Sequence, residues 1–223
     1  MGSRVHETLE MLYKDVMLSK VDTIEELVEY YNKLWDEKWH DKVVVVKSGY
    51  TPEHYRISGE KAIQGYYKQY YPFDQTTILC TEKKIVFNLG DENYKMLGII
   101  DRLDKTEDGT LEIHDYKSSG KLPTQVDVDF DKQLALYQLA VHQSYPASKK
   151  IVLVWHYVRF GTELRSTRTK KQLKKLEAEY KELIDEIDNA KTFPANESIL
   201  CNWCAYQKYC PAKKQTTKLE DFF

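Results

Sequence analysis

The sequence predicts an α/β fold, a mixed central sheet flanked by helices. Three observations carry that expectation. The N-terminal third repeats its apolar residues at helical spacing, whereas the middle third breaks into short β-rich runs. Ile151-Val152-Leu153-Val154-Trp155-His156-Tyr157-Val158 is a near-continuous apolar run, the mark of a strand buried on both faces. Helical patterns lie on either side of it. A chain of 223 residues is long enough for one large domain with a sizeable core.

In chain order, Val5, Leu9, Leu12 and Val16 mark a first helix. Thr23-Ile24-Glu25-Glu26 is a capping box, in which a threonine hydroxyl and a glutamate satisfy each other's backbone amides. It opens a second helix running to about residue 40, with Leu27, Tyr30, Tyr31, Leu34 and Trp35 on its apolar face. Ala62, Ile63, Tyr66, Tyr67 and Tyr70 mark a third, ended by Pro72. Three strands are expected over 77–89, 94–103 and 110–117, a helix over 131–143, and a long charged helix over 169–191. Leu173, Leu176, Tyr180, Leu183 and Ile187 form the inner face of the last. The order contains no linker and no internal repeat.

The chemistry concentrates at Gly98-Ile99-Ile100-Asp101-Arg102 and Asp115-Tyr116-Lys117. Between them, Lys105 to Thr110 is polar and carries Asp108-Gly109, a hairpin turn signal. A hairpin brings Asp101 and Asp115 together. Strand alternation puts Asp115 and Lys117 on one face, with His114 and Tyr116 on the other. Two carboxylates can hold a hard divalent cation and the lysine adds a charge beside it, a set suited to phosphodiester cleavage.

The net charge of −2 gives no overall attraction to nucleic acid, so any basic surface must be local. Lys117, Lys121, Lys132, Arg165, Arg168, Lys170 and Lys171 are its candidates, and Arg102 is placed to support Asp101. Some of the 17 tyrosines are expected in packing and some in stacking on single-stranded bases. No apolar run is long enough to span a membrane and no signal peptide is visible, which points to an intracellular protein, cytoplasmic or nucleoid-associated.

Cys201, Cys204 and Cys210 form a C-x2-C-x5-C cluster, and a chain with four cysteines has little reason to group three except metal binding. Zinc and an iron–sulfur cluster both suit this spacing. Trp203, Tyr206, Tyr209 and Pro211 are placed to shield it. Cys80 is the remaining cysteine, either a fourth ligand or a small buried apolar residue.

Taken in order, these elements resemble the RecB-like branch of the PD-(D/E)XK nuclease superfamily. The resemblance runs from Gly2-Ser3-Arg4-Val5-His6 through Gly98–Arg102, Asp115-Tyr116-Lys117-Ser118 and Gln133-Leu134-Ala135-Leu136-Tyr137 to the C-terminal cysteines. It implies a restriction-endonuclease-like fold over 1–211, the cysteine motif included, followed by a flexible tail over 212–223. It implies Mg2+ or Mn2+ held by His6, Asp101, Asp115 and the backbone carbonyl of Tyr116. Lys117 would orient the nucleophile or stabilise the transition state, and Gln133 and Tyr137 would face the active site. Similarity to AddB and to CRISPR-associated RecB-like exonucleases implies a 4Fe–4S cluster in preference to zinc. Related nucleases carry a helix and a further cysteine ahead of the Gly…His element, so here either Cys80 completes the cluster or that ligand is missing with an absent upstream segment. The implied function is a metal-dependent DNA exonuclease acting on single strands or DNA ends in repair, recombination or replication. A catalytically weak DNA-binding or clamp-associated module and a CRISPR spacer-processing nuclease are the alternatives. Leu219, Phe222 and Phe223 resemble the peptide that docks on a PCNA-type sliding clamp, with Thr216 where that peptide has glutamine.

Overall fold

The computed structural model describes residues 1–90 and 93–214. The expected clamp-docking residues Leu219, Phe222 and Phe223 lie outside that set. Three helices come first: α1 (Gly2–Met17), α2 (Ile24–Lys38) and α3 (Pro52–Tyr70). Then follow β1 (Thr77–Asn88), β2 (Lys95–Lys105), β3 (Leu111–Lys117), α4 (Gln125–Asp129), α5 (Gln133–Ser144), β4 (Ile151–Tyr157), β5 (Thr162–Ser166) and α6 (Lys170–Asn189). Two 3₁₀ turns, Ile199–Trp203 and Gln207–Tyr209, and the short α7 (Pro211–Lys214) end the described chain.

The five strands lie in sequence order in one mixed sheet. β1, β2 and β3 form an antiparallel meander, β3 and β4 run parallel, and β5 closes antiparallel on β4. The expected sheet and its flanking helices are present. The β2–β3 turn uses Gly109 at φ 82°, where glycine avoids the steric cost of a side chain, and Asp108 Oδ1 accepts from Thr110 N–H at 3.0 Å. β5 and α4 were not expected. β5 reads Thr-Glu-Leu-Arg-Ser, a charged five-residue edge strand with one apolar residue, so alternation could not reveal it.

Helices cover both faces. α5 and α6 pack on one, where Leu134, Leu136, Ala140, Leu173 and Leu176 join Ile100, Leu111, Ile113, Leu153 and Trp155. α1, α2 and α3 pack on the other through Val5, Leu9, Leu12, Leu27, Tyr31, Ile63 and Tyr66, reaching Tyr116 and Val158 on the sheet. β3 and β4 are buried on both sides, as central strands must be. The capping box at Thr23 and Glu26 forms as read.

The α1–α3 face encloses a buried cation. Arg102, expected from sequence to support Asp101, does not do so. It points into this second core and donates to Asp104 (3.1 Å), the Tyr66 hydroxyl (2.9 Å) and the Tyr116 hydroxyl (2.8 Å). Its guanidinium also lies 3.8 Å from the Tyr13 ring centroid. Burial pushes the phenols of Tyr66 and Tyr116 well up, so both remain neutral hydroxyls able to accept from Arg102. Nor are the basic-patch candidates all available. Arg165 pairs with Glu112 and Glu163, Arg168 donates to the carbonyls of Val128 and Asp131, and Lys132 pairs with Glu179.

Two glycines of α3 make opposite predictions. A Cβ at Gly59 would collide with the hydroxyl of Tyr31, a fully buried ring with no room to retreat. A Cβ at Gly65 meets nothing within 4 Å. Alanine gains up to about 1 kcal/mol of helix propensity at either position, while overpacking costs about 1–3 kcal/mol. Gly65→Ala is expected to raise the thermal midpoint and Gly59→Ala to lower it, each read by circular dichroism melting.

Candidate active site

The site forms where β2 and β3 separate. Their ladder ends at the Arg102–His114 pair. Continued, it would set Asp101 opposite Asp115 and leave the Tyr116 peptide group facing Ile100. Instead the backbone of Tyr116 is taken by side chains. Its N–H donates to Asp101 Oδ2 at 2.8 Å, and its carbonyl lies 2.6 Å from His6 Nε2. His6 Nδ1 is 3.4 Å from the same Asp101 oxygen. A backbone donor and acceptor freed by strand splaying thus fix a carboxylate from β2 and an imidazole from α1 around one peptide unit.

Asp115 and Lys117 share a face of β3, as alternation required. That is the α5 face, since Leu111 and Ile113 pack there. Lys117 Nζ lies 2.7 Å from Asp115 Oδ2 and donates to Gln133 Oε1 at 2.8 Å. Gln133 Nε2 in turn sits 3.4 Å from the Tyr137 hydroxyl, one helical turn along α5. Gly98 lets Tyr137 approach the sheet: a Cβ there would sit 2.5 Å from Tyr137 Cε1. The glycine ahead of Asp101 is therefore a close-approach position.

Glu82 is the residue that sequence reasoning missed. It sits on β1 between Thr81, opposite Arg102, and Lys83, opposite Ile100, which places it across from Asp101. Both strands break alternation there. Cys80, Ile85 and Phe87 all pack on the α5 face, as do Ile100 and Leu103. Odd separations on one face require a parity change, and Glu82 carries it at φ 44°, an uncommon angle for a side-chain-bearing residue. Sequence offered one faint signal, a glutamate interrupting the apolar pattern of a strand. Its pairing register with Asp101 was not readable. Glu82 joins His6 and Asp101 with ligand atoms all within 4.8 Å of one another, and no other such set of three is found among the described residues. Gly2, Ser3, Glu7, Glu10 and Ser118 complete the cleft around His6 and Glu82, about 480 Å³ in volume.

The donor set fits a divalent cation. Asp115 Oδ2 is buried, with the Lys117 ammonium 2.7 Å away as its partner. One lysine does not balance the two neighbouring carboxylates of Asp101 and Asp115, and a divalent cation would offset the remaining charge. Burial pushes the Asp115 carboxyl up to about 6; Lys117 opposes that shift and Asp101 adds to it. Burial and Asp101 likewise raise Glu82.

The cysteines lie apart from this set. Cys201, Cys204 and Cys210 sit on the two 3₁₀ turns and their ends, with the Cys201 and Cys210 thiols both near Lys213. Cys201 Sγ accepts from Ser198 N–H at 3.4 Å. Trp203, Tyr206 and Tyr209, expected as shields, are exposed, since single turns are too short to fold them inward. Cys80 is half-buried in β1 against the sheet core, and burial raises its thiol. No helix among the described residues is long and apolar enough to cross a membrane.

A carboxyl raised in the folded state binds its proton more tightly there than in the unfolded chain. The fold therefore loses stability as pH rises from about 4 to about 6 through Asp115. In metal-free protein, carboxyl carbon NMR should show Asp115 titrating near 6, moving up in Lys117→Ala and down in Asp101→Asn. Asp115→Asn should raise the melting midpoint at pH 7 and leave it nearly unchanged at pH 4.

No curated protein matches the sequence. One solved structure, titled "Crystal structure of SSO0001", matches 92% of this chain and 96% of its own at 19% identity, with a TM-score of 0.35. The profile of the PD-(D/E)XK nuclease superfamily matches residues 1–211, which takes in every residue of the site. On that match the chain belongs to the PD-(D/E)XK nuclease superfamily.

Proposed function

We propose that this nuclease is a divalent-metal-dependent deoxyribonuclease that hydrolyses phosphodiester bonds of single strands or DNA ends as an exonuclease. The observation that carries the reading is the splayed end of the β2–β3 hairpin. There Asp101, Asp115, the Tyr116 backbone and Lys117 meet beside His6.

His6, Asp101, Asp115 and the Tyr116 carbonyl would hold Mg2+ or Mn2+. A bound ion supplies Lewis acidity, lowering the pKa of a water and offsetting charge that grows on the phosphate. The remaining work falls to the chain's own groups. Glu7, Glu10 and Glu82 line the cleft, so a phosphodiester meets repulsion unless cationic groups offset it. Lys117 is held between Asp115 and Gln133, and can orient the attacking water or stabilise the phosphorane as a compact charge. Gln133 and Tyr137 act behind it. Tyr137, seated on Gly98, fixes the glutamine that in turn fixes the ammonium. Asp101 accepts from the Tyr116 amide, so its carboxylate cannot swing away.

We further propose that Cys201, Cys204 and Cys210 bind a 4Fe–4S cluster that pins the C-terminal segment. The C-x2-C-x5-C spacing suits zinc as well, and the resemblance to RecB-like nucleases with a C-terminal cysteine triad supports iron over zinc.

Purified protein should degrade end-labelled single strands in Mg2+ or Mn2+ and not in EDTA. Asp115→Ala and Lys117→Ala should each lower the rate on the order of 10²-fold or more while the circular dichroism spectrum is kept. Full activity in either variant removes the assignment. Anaerobically purified protein should be brown and contain iron. Cys204→Ser should lose that iron, and Cys80→Ser should retain it. A colourless sample with stoichiometric zinc would refute the cluster.

A further inference from the structure

We infer that Glu82 is a metal ligand of this site, completing a His6–Glu82–Asp101 set that holds a divalent cation together with Asp115. The inference rests on the metal-dependent reading above and extends it to a residue on a different strand.

Position is the first argument. Glu82 Oε, Asp101 Oδ and a His6 ring nitrogen lie within 4.8 Å of one another. Ligands of one Mg2+ or Mn2+ ion, each about 2.1 Å from it, stand about 3 Å apart when adjacent and about 4 Å when opposite. Small side-chain rotations span that difference. The second argument is charge. The Asp115 side chain is 7% exposed, and its Oδ2 is ion-paired with Lys117 at 2.7 Å. Asp101 Oδ2 accepts from the amide of Tyr116, the next residue along β3. A nine-tenths buried carboxylate beside Asp101 and Glu82, with Lys117 as its cationic partner, leaves excess negative charge that a divalent cation offsets.

The third argument is how Glu82 comes to be there. β1 and β2 change face together at the Glu82–Asp101 step. Without that break Glu82 would remain in strand alternation; with it, Glu82 stands beside His6 of α1. Glu82 also differs from its acidic neighbours in the cleft. Glu7 pairs with Arg4 and Lys38, and Glu10 pairs with Lys14, so each already has a cationic partner. One imidazole and three carboxylates make a harder, more anionic shell than His6, Asp101 and Asp115 alone. They favour an ion that accepts both nitrogen and oxygen, which ranks Mn2+ above Mg2+.

The test is Mn2+ binding to the full chain, read from the loss of the free-ion EPR signal and from calorimetry, without DNA. Glu82→Gln keeps the side-chain volume and is expected to weaken Mn2+ at least tenfold, in line with the losses produced by disturbing metal-site groups. Glu10→Gln removes one charge from the same cleft and is expected to change affinity less than threefold, which separates ligation from general electrostatics. Asp115→Asn is the control for the site itself. If Asp115→Asn weakens Mn2+ and Glu82→Gln does not, Glu82 is no ligand and the metal site stands without it. If neither variant changes affinity, the metal site as drawn is wrong. Equal weakening by Glu82→Gln and Glu10→Gln would also overturn the inference. Circular dichroism melting of each variant verifies that binding is measured on folded protein.

Discussion

The peptide group of Tyr116 is the constraint on which the site depends. It lies in β3, buried on both faces, where an unpaired N–H or carbonyl would be costly. β2 leaves β3 just before it, and two side chains replace the missing ladder partners. Asp101 takes the amide and His6 approaches the carbonyl. Satisfying one peptide bond therefore places one acid from β2 and one imidazole from α1. The same strand carries Asp115 and Lys117 on its other face, so three elements converge without any loop having to be positioned.

That convergence has a cost in stability. Asp115 is held in a site where burial opposes its charge and Lys117 only partly offsets that. Glu82 adopts a backbone angle that side chains seldom use. The rest of the fold offsets these with ordinary means: capping boxes at Thr23 and Thr169, two apolar cores, and a hairpin turn closed by Asp108. Both costly features lie at the site, as expected where local rules yield to chemistry, although Ser19 and Phe73 also take positive φ away from it.

Much of this was legible in the sequence. The period of three and four gave α1 and α2, and the unbroken apolar run gave β4. Asp108-Gly109 gave the hairpin, and the hairpin brought Asp101 to the strand that carries Asp115, where it takes the Tyr116 amide. The alternation that put Asp115 with Lys117 also put His114 on the opposite face, where it meets Arg102. What failed depended on tertiary register. Glu82 became visible only once β1 was paired with β2 and its parity break located. Arg102 follows Asp101 directly, yet the same break sends it into the second core. β5 was hidden because its charges face partners that sequence cannot pair, Glu112 with Arg165 above all.

The buried guanidinium of Arg102 bears on how the helical layer finds its place. Apolar contacts alone tolerate sliding, because leucine packs nearly as well against one neighbour as the next. Arg102 does not. It needs the Tyr66 hydroxyl from α3, the Tyr116 hydroxyl from β3 and the ring of Tyr13 from α1. Shifting α1 and α3 by one helical turn would leave Arg102 its Asp104 pair but remove the Tyr66 hydroxyl and the Tyr13 ring, a loss of about 1.5–3 kcal/mol for a hydrogen bond to a charged group besides the cation–π contact. The cation thus acts as an indexing pin, rejecting every docking but one. Because His6 rides on the same helix as Tyr13, the pin that aligns the scaffold also sets the imidazole against the Tyr116 carbonyl.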